Sequence, residues 1–124
     1  MRSALGRVRG HGSAKSGTHH WWMQRVTSIA LLPLTLWFVY SMIRLAGASY
    51  LDTLFWIARP LNAVLMISLI ALTFHHMANG LQVVVEDYVH NELARMATVL
   101  VIKGASALLA LASTFAVLRI AFAL

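Results

Sequence analysis

Residues 75–92 read HHMANGLQVVVEDYVHNE and hold two adjacent imidazoles, a phenol and three of the chain's four carboxylates. An imidazole nitrogen can ligate a metal or exchange hydrogen bonds. A tyrosine hydroxyl, as at Tyr88, can donate a hydrogen bond to a carbonyl oxygen, and a carboxylate beside it, as at Asp87, can orient it or pass protons. Neighbours on a helix point about 100° apart, so His75 and His76 do not share one ion. Cysteine is absent, which excludes disulfides and thiolate metal sites.

At about 100° per residue, Ser68, His75, Asn79, Gln82 and Glu86 line one stripe of a helix, and His76, Gly80, Val83 and Asp87 the adjoining one. Polar groups are costly at membrane depth, so such a face meets other helices, a cofactor or a water-filled cavity. For a single intramembrane histidine two readings compete: a hydrogen bond to a neighbouring carbonyl or serine, and axial ligation of haem iron. For the second, His76 has Gly80 one turn away, where a missing side chain lets a flat porphyrin approach the backbone. His75 has Asn79 at that place, which suits hydrogen bonding, but spacing alone leaves the swap open. Asp87 and Tyr88 follow His76 by roughly 17 Å along the axis, which brings them to the membrane border. There Tyr88 is either a ligand-binding phenol or an ordinary interfacial aromatic, and Glu86, Asp87 and Glu92 can equally face solvent.

The elements that position these groups are apolar. At 124 residues, 60% hydrophobic and 11% charged, the composition excludes an ordinary soluble domain. Segments Met23 to Ala46, Phe55 to Val85 and Met96 to Ala123 are each long enough to cross a bilayer core of roughly 30 Å as a helix. The expected fold is therefore an all-α membrane protein of three transmembrane helices, with residues 1–22 a basic tail and interfacial approach and residues 23–124 the anchor. Three helices scarcely enclose a cavity alone, which calls for partner subunits.

The net charge of +6 is not a nucleic-acid stripe. Arg2, Arg7, Arg9, Lys15 and Arg25 crowd the amino terminus and outweigh Arg44 and Arg59 of the first loop, so the amino terminus is expected inside, in cytoplasm or matrix. The opening through Gly17 is expected to be unstructured, with Thr18 capping the first helix and Trp21 and Trp22 as interfacial anchors. Pro33 removes a backbone donor from the first span and predicts a kink. Arg25, near its inner border, either snorkels to lipid phosphate or has a specific role. The link AGASYLDT reads as a surface turn. On the third span Ser106, Ala110 and Ser113 or Thr114 recur at helical spacing, permitting close packing, while Lys103 and Arg119 snorkel or face partner protein.

The order H-x-x-x-G-x-Q-x-x-x-x-D-Y-V, formed by His76, Gly80, Gln82 and Asp87-Tyr88-Val89, resembles the second helix of the small hydrophobic anchor subunit of succinate dehydrogenase, respiratory complex II. Ser3-Ala4-Leu5-Gly6-Arg7 is similar to that family's amino-terminal S-A-L-G-R, and Arg25-Val26-Thr27-Ser28-Ile29 to its R-x-T-x-I. Order and spacing carry the likeness, with clear motifs over about half the chain and hydrophobic architecture alone in the third span.

The resemblance implies packing against a second three-helix anchor, the cytochrome b subunit, with haem b shared between them. It implies that His76 is one axial ligand of the haem iron and a histidine of the larger subunit the other. By the same likeness Tyr88 hydrogen-bonds ubiquinone at the inner face, Asp87 lies beside it, and Arg25 approaches a haem propionate. FAD and iron-sulfur clusters reside on a flavoprotein and an iron-sulfur subunit, so this chain alone carries no complete active site. The tail between Arg7 and Arg25 is longer than in some members, and His20 stands where some relatives carry an acid. Two rivals remain: a fumarate reductase or menaquinone-linked anchor, and a structural adaptor without a redox site. The acid-free start also has the composition of a mitochondrial targeting segment. Its likeness to the start of a mature chain favours a bacterial inner membrane over a mitochondrial one.

Overall fold

The computed structural model describes residues 14–123, which form four helices: α1 (Ala14–Leu45), α2 (Tyr50–Ala58), α3 (Pro60–Tyr88) and α4 (Glu92–Ala123). The expectations for Arg2, Arg7, Arg9 and the Ser3-to-Arg7 motif lie outside the described residues. Among the described residues there is no strand, and three helical stretches, Gly17–Leu45, Pro60–Tyr88 and Glu92–Ala123, are long and apolar enough to cross a membrane. The all-helical, three-span architecture agrees with the sequence.

Several boundaries differ. Residues 14–17 are already helical, so Thr18 sits inside α1 rather than capping it. The α-helix continues through Pro33, whose missing donor leaves only one rung of the ladder open. The expected turn after Ala46 is mostly a helix. Gly47, at φ +83°, ends α1 in a conformation that costs glycine little, and Ser49 then caps α2 by accepting a hydrogen bond at Oγ from the Asp52 amide, 3.1 Å away. Phe55 to Ala58 therefore belong to α2. The second span starts only at Pro60, because Arg59 is extended and a proline at the first helical position needs no donor.

Helix α3 is the middle element, flanked by α1 on one side and by α4 along most of its length, while α1 and α4 scarcely touch. The buried positions are mostly small: Thr27 and Ser41 on α1, Ala63, Ala78 and Asn79 on α3, and Ser106 on α4. Small side chains let backbones approach where lipid provides no hydrophobic drive between helices. The small-residue stripe expected on the third span includes Ser106, one of its buried positions, with Ala110, Ser113 and Thr114 partly covered. At the far end, Trp37 of α1 stacks on Trp56 of α2, with centroids 5.6 Å apart. Large apolar side chains such as Ile29, Leu32, Leu100 and Leu108 stay exposed and require lipid or protein around them.

Candidate functional site

The two histidines separate onto different neighbours. His76, half-buried, turns to α1, where its Nδ1 lies 3.1 Å from Oγ1 of Thr27. Thr27 is 2% exposed, and its hydroxyl has a closer acceptor, the Met23 carbonyl at 2.7 Å. One hydroxyl has one proton. With that proton on Met23, Oγ1 accepts from Nδ1–H of His76, which places the imidazole's lone pair on Nε2. No other hydrogen bond engages that nitrogen among the described residues.

His75 is exposed and lies on the other stripe. Its Nε2 is 3.1 Å from Nδ2 of Asn79, one turn on, so its outer nitrogen is already engaged by an amide. The imidazole whose outer nitrogen is open is thus the one at residue 76.

Fit to a haem can be judged from the surroundings of His76. A β-carbon built at Gly80 would meet its nearest neighbour, Nε2 of Gln24 on α1, at 3.9 Å, an ordinary van der Waals contact, so the glycine faces α1 with room for a methyl group. On the same side of α1, Nε2 of His20 and Oε1 of Gln24 are buried with no hydrogen-bond partner among the described residues. Buried polar atoms are ordinarily paired, so these two call for a partner beyond the described residues. Among the described residues no three potential metal-ligating side chains converge, so an iron held at His76 takes its remaining ligands from elsewhere. The donor available, an imidazole held at Nδ1 by Thr27 with Nε2 unengaged among the described residues, fits ligation of a porphyrin iron.

The other predicted residues stand apart from His76. Tyr88 is the last residue of α3 and 78% exposed, and Asp87 beside it is exposed too, so both face outward from the chain. The remaining acids have local work. Glu86 accepts from Nε2 of Gln82 at 3.0 Å, and Glu92 lies in the first turn of α4, where a carboxylate complements the helix dipole and Asn91 caps the Ala94 amide. Asp87 is left as the carboxylate next to the phenol. Arg25 is exposed, its guanidinium carbon 4.9 Å from the Trp21 ring centroid, a cation–π contact.

The sequence missed Thr27 as the partner of His76. Its signal was present in the R-x-T stretch, but nothing local says that residue 27 meets residue 76. The pairs 27 with 76 and 24 with 80 show α1 and α3 running antiparallel, which brings the start of α1 level with Asp87 and Tyr88.

Comparison with known proteins agrees with this architecture. The profile of the succinate dehydrogenase/fumarate reductase transmembrane subunit family matches residues 1–118. A succinate dehydrogenase hydrophobic membrane anchor subunit of Rickettsia bellii (strain RML369-C) is 31% identical over 83% of this chain and 82% of its own. A succinate dehydrogenase membrane anchor subunit of Reclinomonas americana is 28% identical over 72% and 77%, and a hydrophobic anchor subunit of Paracoccus denitrificans 31% over 65% and 63%. No solved structure matches the chain at a significant level. With a match over nearly its whole length and three apolar spans in the expected order, the chain belongs to the succinate dehydrogenase/fumarate reductase transmembrane subunit family, as a multi-pass membrane anchor subunit of succinate dehydrogenase.

Proposed function

We propose that this subunit holds haem b through Nε2 of His76 and positions ubiquinone with Tyr88. The observation that carries the reading is the Thr27 hydrogen bond, which fixes the imidazole's tautomer and turns its lone pair outward. A histidine of the cytochrome b anchor subunit, against which the chain packs, would share the haem with His76. When bound, haem would supply a one-electron carrier.

Partner subunits carrying FAD and iron-sulfur clusters would oxidise succinate and supply the electrons, and this chain's residues would bind the quinone that receives them. Tyr88 donates its O–H to one quinone carbonyl, which favours the charge that develops on that oxygen as electrons arrive. Asp87 orients the phenol and passes protons from the aqueous side, two being needed to complete the quinol. Arg25, exposed on α1, would offset an anionic haem propionate. Residues 1–22 serve as a basic tail on the inner side and residues 23–124 as the anchor. The concentration of Arg and Lys near the amino terminus supports that orientation, and a bacterial inner membrane is the setting favoured by relatives such as those of Rickettsia and Paracoccus.

The test is His76→Ala in the assembled four-subunit complex. Haem absorbance should be lost while the complex still forms. Unchanged haem absorbance and unchanged quinone reduction would instead mark a structural adaptor whose histidine merely packs.

A further inference from the structure

Helices α3 and α4 enclose a groove of about 450 Å³ on the stripe of His75. Its walls are small, with Ala71 and Ala78 on α3 and Ser106, Ala107 and Ala110 on α4, so a neighbouring backbone can come close. Ser28, Ser41, Ser68 and Ser113 all donate to the carbonyl four residues back, at 2.7 to 2.9 Å. Ser106, only 6% exposed, makes no hydrogen bond among the described residues, which leaves its hydroxyl to whatever enters the groove. Lys103, one turn before it on the same wall, has no ion pair or hydrogen bond among the described residues either.

Lys103 lies deep in its span. Arg95 and Arg119 bracket the apolar part of α4, about 36 Å apart, and mark its two membrane borders. Lys103 is about 12 Å along the helix from the nearer one, and its four-methylene stem covers roughly half of that. An ammonium at this depth is costly unless paired. The chain's four acids, Asp52, Glu86, Asp87 and Glu92, all stand at helix ends, and none lines this groove. A second copy in the same membrane carries its acids at the same borders and supplies none either, and lipid phosphates stay at those borders too. The counter-charge is therefore a carboxylate brought to mid-membrane by another protein. A helix, with its backbone polar groups satisfied internally, can bring one there.

We infer that the α3–α4 groove receives a transmembrane helix of a different subunit, whose aspartate or glutamate, placed near the middle of its span, pairs with Lys103 and accepts a hydrogen bond from Ser106. The small walls admit that helix closely, and the paired charges fix its depth and rotation. This contact goes beyond the haem and quinone reading and uses none of its residues, since His76 turns to Thr27 on the adjoining stripe.

The test places a photoreactive benzoylphenylalanine at Leu111, an exposed position one turn beyond Ala107, in the assembled complex in native membranes, and maps the cross-link by mass spectrometry. The adduct should fall on one transmembrane helix of another subunit, within one turn of an Asp or Glu. Its yield should drop at least about fivefold in Lys103→Met, which leaves that acid unpaired, and persist in Lys103→Arg. Replacing the mapped acid by lysine should weaken the contact in wild type and restore it in Lys103→Glu. The absence of any adduct to another subunit, a mapped helix with no acid within one turn, or equal yields in Lys103→Met and wild type would each overturn the inference. Complex that assembles with Lys103→Met should keep wild-type haem absorbance and quinone reduction per flavin, so failure here leaves the reading of His76 and Tyr88 standing.

Discussion

Thr27 on α1 and His76 on α3 meet through a single contact, Oγ1 to Nδ1 at 3.1 Å, although they are 49 residues apart in the chain. The contact joins two spans and decides which nitrogen of the imidazole carries its proton. A group that orients a metal-binding histidine typically changes metal affinity by 10- to 100-fold when removed.

Thr27→Val should accordingly keep the complex assembled but lower haem affinity by about 10-fold to 100-fold. Thr27→Ser, which restores an oxygen, should recover most of it. Haem-to-flavin ratios after dilution in detergent, with a redox titration of the haem that remains, would check this. Equal occupancy in Val and wild type would show that the hydrogen bond does not orient a ligand.

The engagement of His75 by Asn79 predicts a contrast with its neighbour. His75→Ala should leave the haem spectrum and its stoichiometry intact, whereas His76→Ala abolishes both. Optical spectra of the two purified variants suffice, and the reverse pattern would transfer the ligand role to residue 75.

Gly80 separates folding from haem binding. A β-carbon there would stand 3.9 Å from its nearest neighbour, so Gly80→Ala should pack without strain and should gain up to about 1 kcal/mol of helix propensity. If a porphyrin lies over the glycine, haem content should nevertheless fall. Thermal stability rising while haem absorbance declines is the expected signature; haem content that survives would place the ring elsewhere.

Tyr88→Phe removes one hydroxyl from an exposed phenol. Loss of one net hydrogen bond, about 0.5 to 1.5 kcal/mol, should reduce kcat/KM for ubiquinone by about 2-fold to 12-fold. Succinate oxidation with an artificial acceptor that bypasses the membrane site should be unaffected. An equal decline in both assays would mean that the tyrosine supports assembly rather than quinone.

At the opposite end of the spans, Gly47 holds a positive φ of +83° and Ser49 caps α2. Gly47→Ala should cost about 1 to 2 kcal/mol from the left-handed backbone, and Ser49→Ala about 0.5 to 2 kcal/mol. Unfolding of the complex in a detergent titration should reveal both, with haem and quinone assays on the surviving fraction unchanged.

The sequence by itself determined the membrane class, the number of spans and the candidate residues, because a bilayer imposes a length and a hydropathy that single segments must satisfy alone. It also told His75 and His76 apart as belonging to different stripes, since that follows from helical pitch. It misplaced the link after Ala46, where polar residues hide a short capped helix, and the start of α1, where glycine and serine weaken the helical signal. Only the tertiary structure decided which stripe meets which helix: α1 brings Thr27 to His76, and α4 leaves Lys103 and Ser106 around a groove beside His75. Those pairings depend on small residues at 27, 78 and 106 letting backbones close on one another. Such contacts are long-range, and no local pattern of hydrophobicity encodes them.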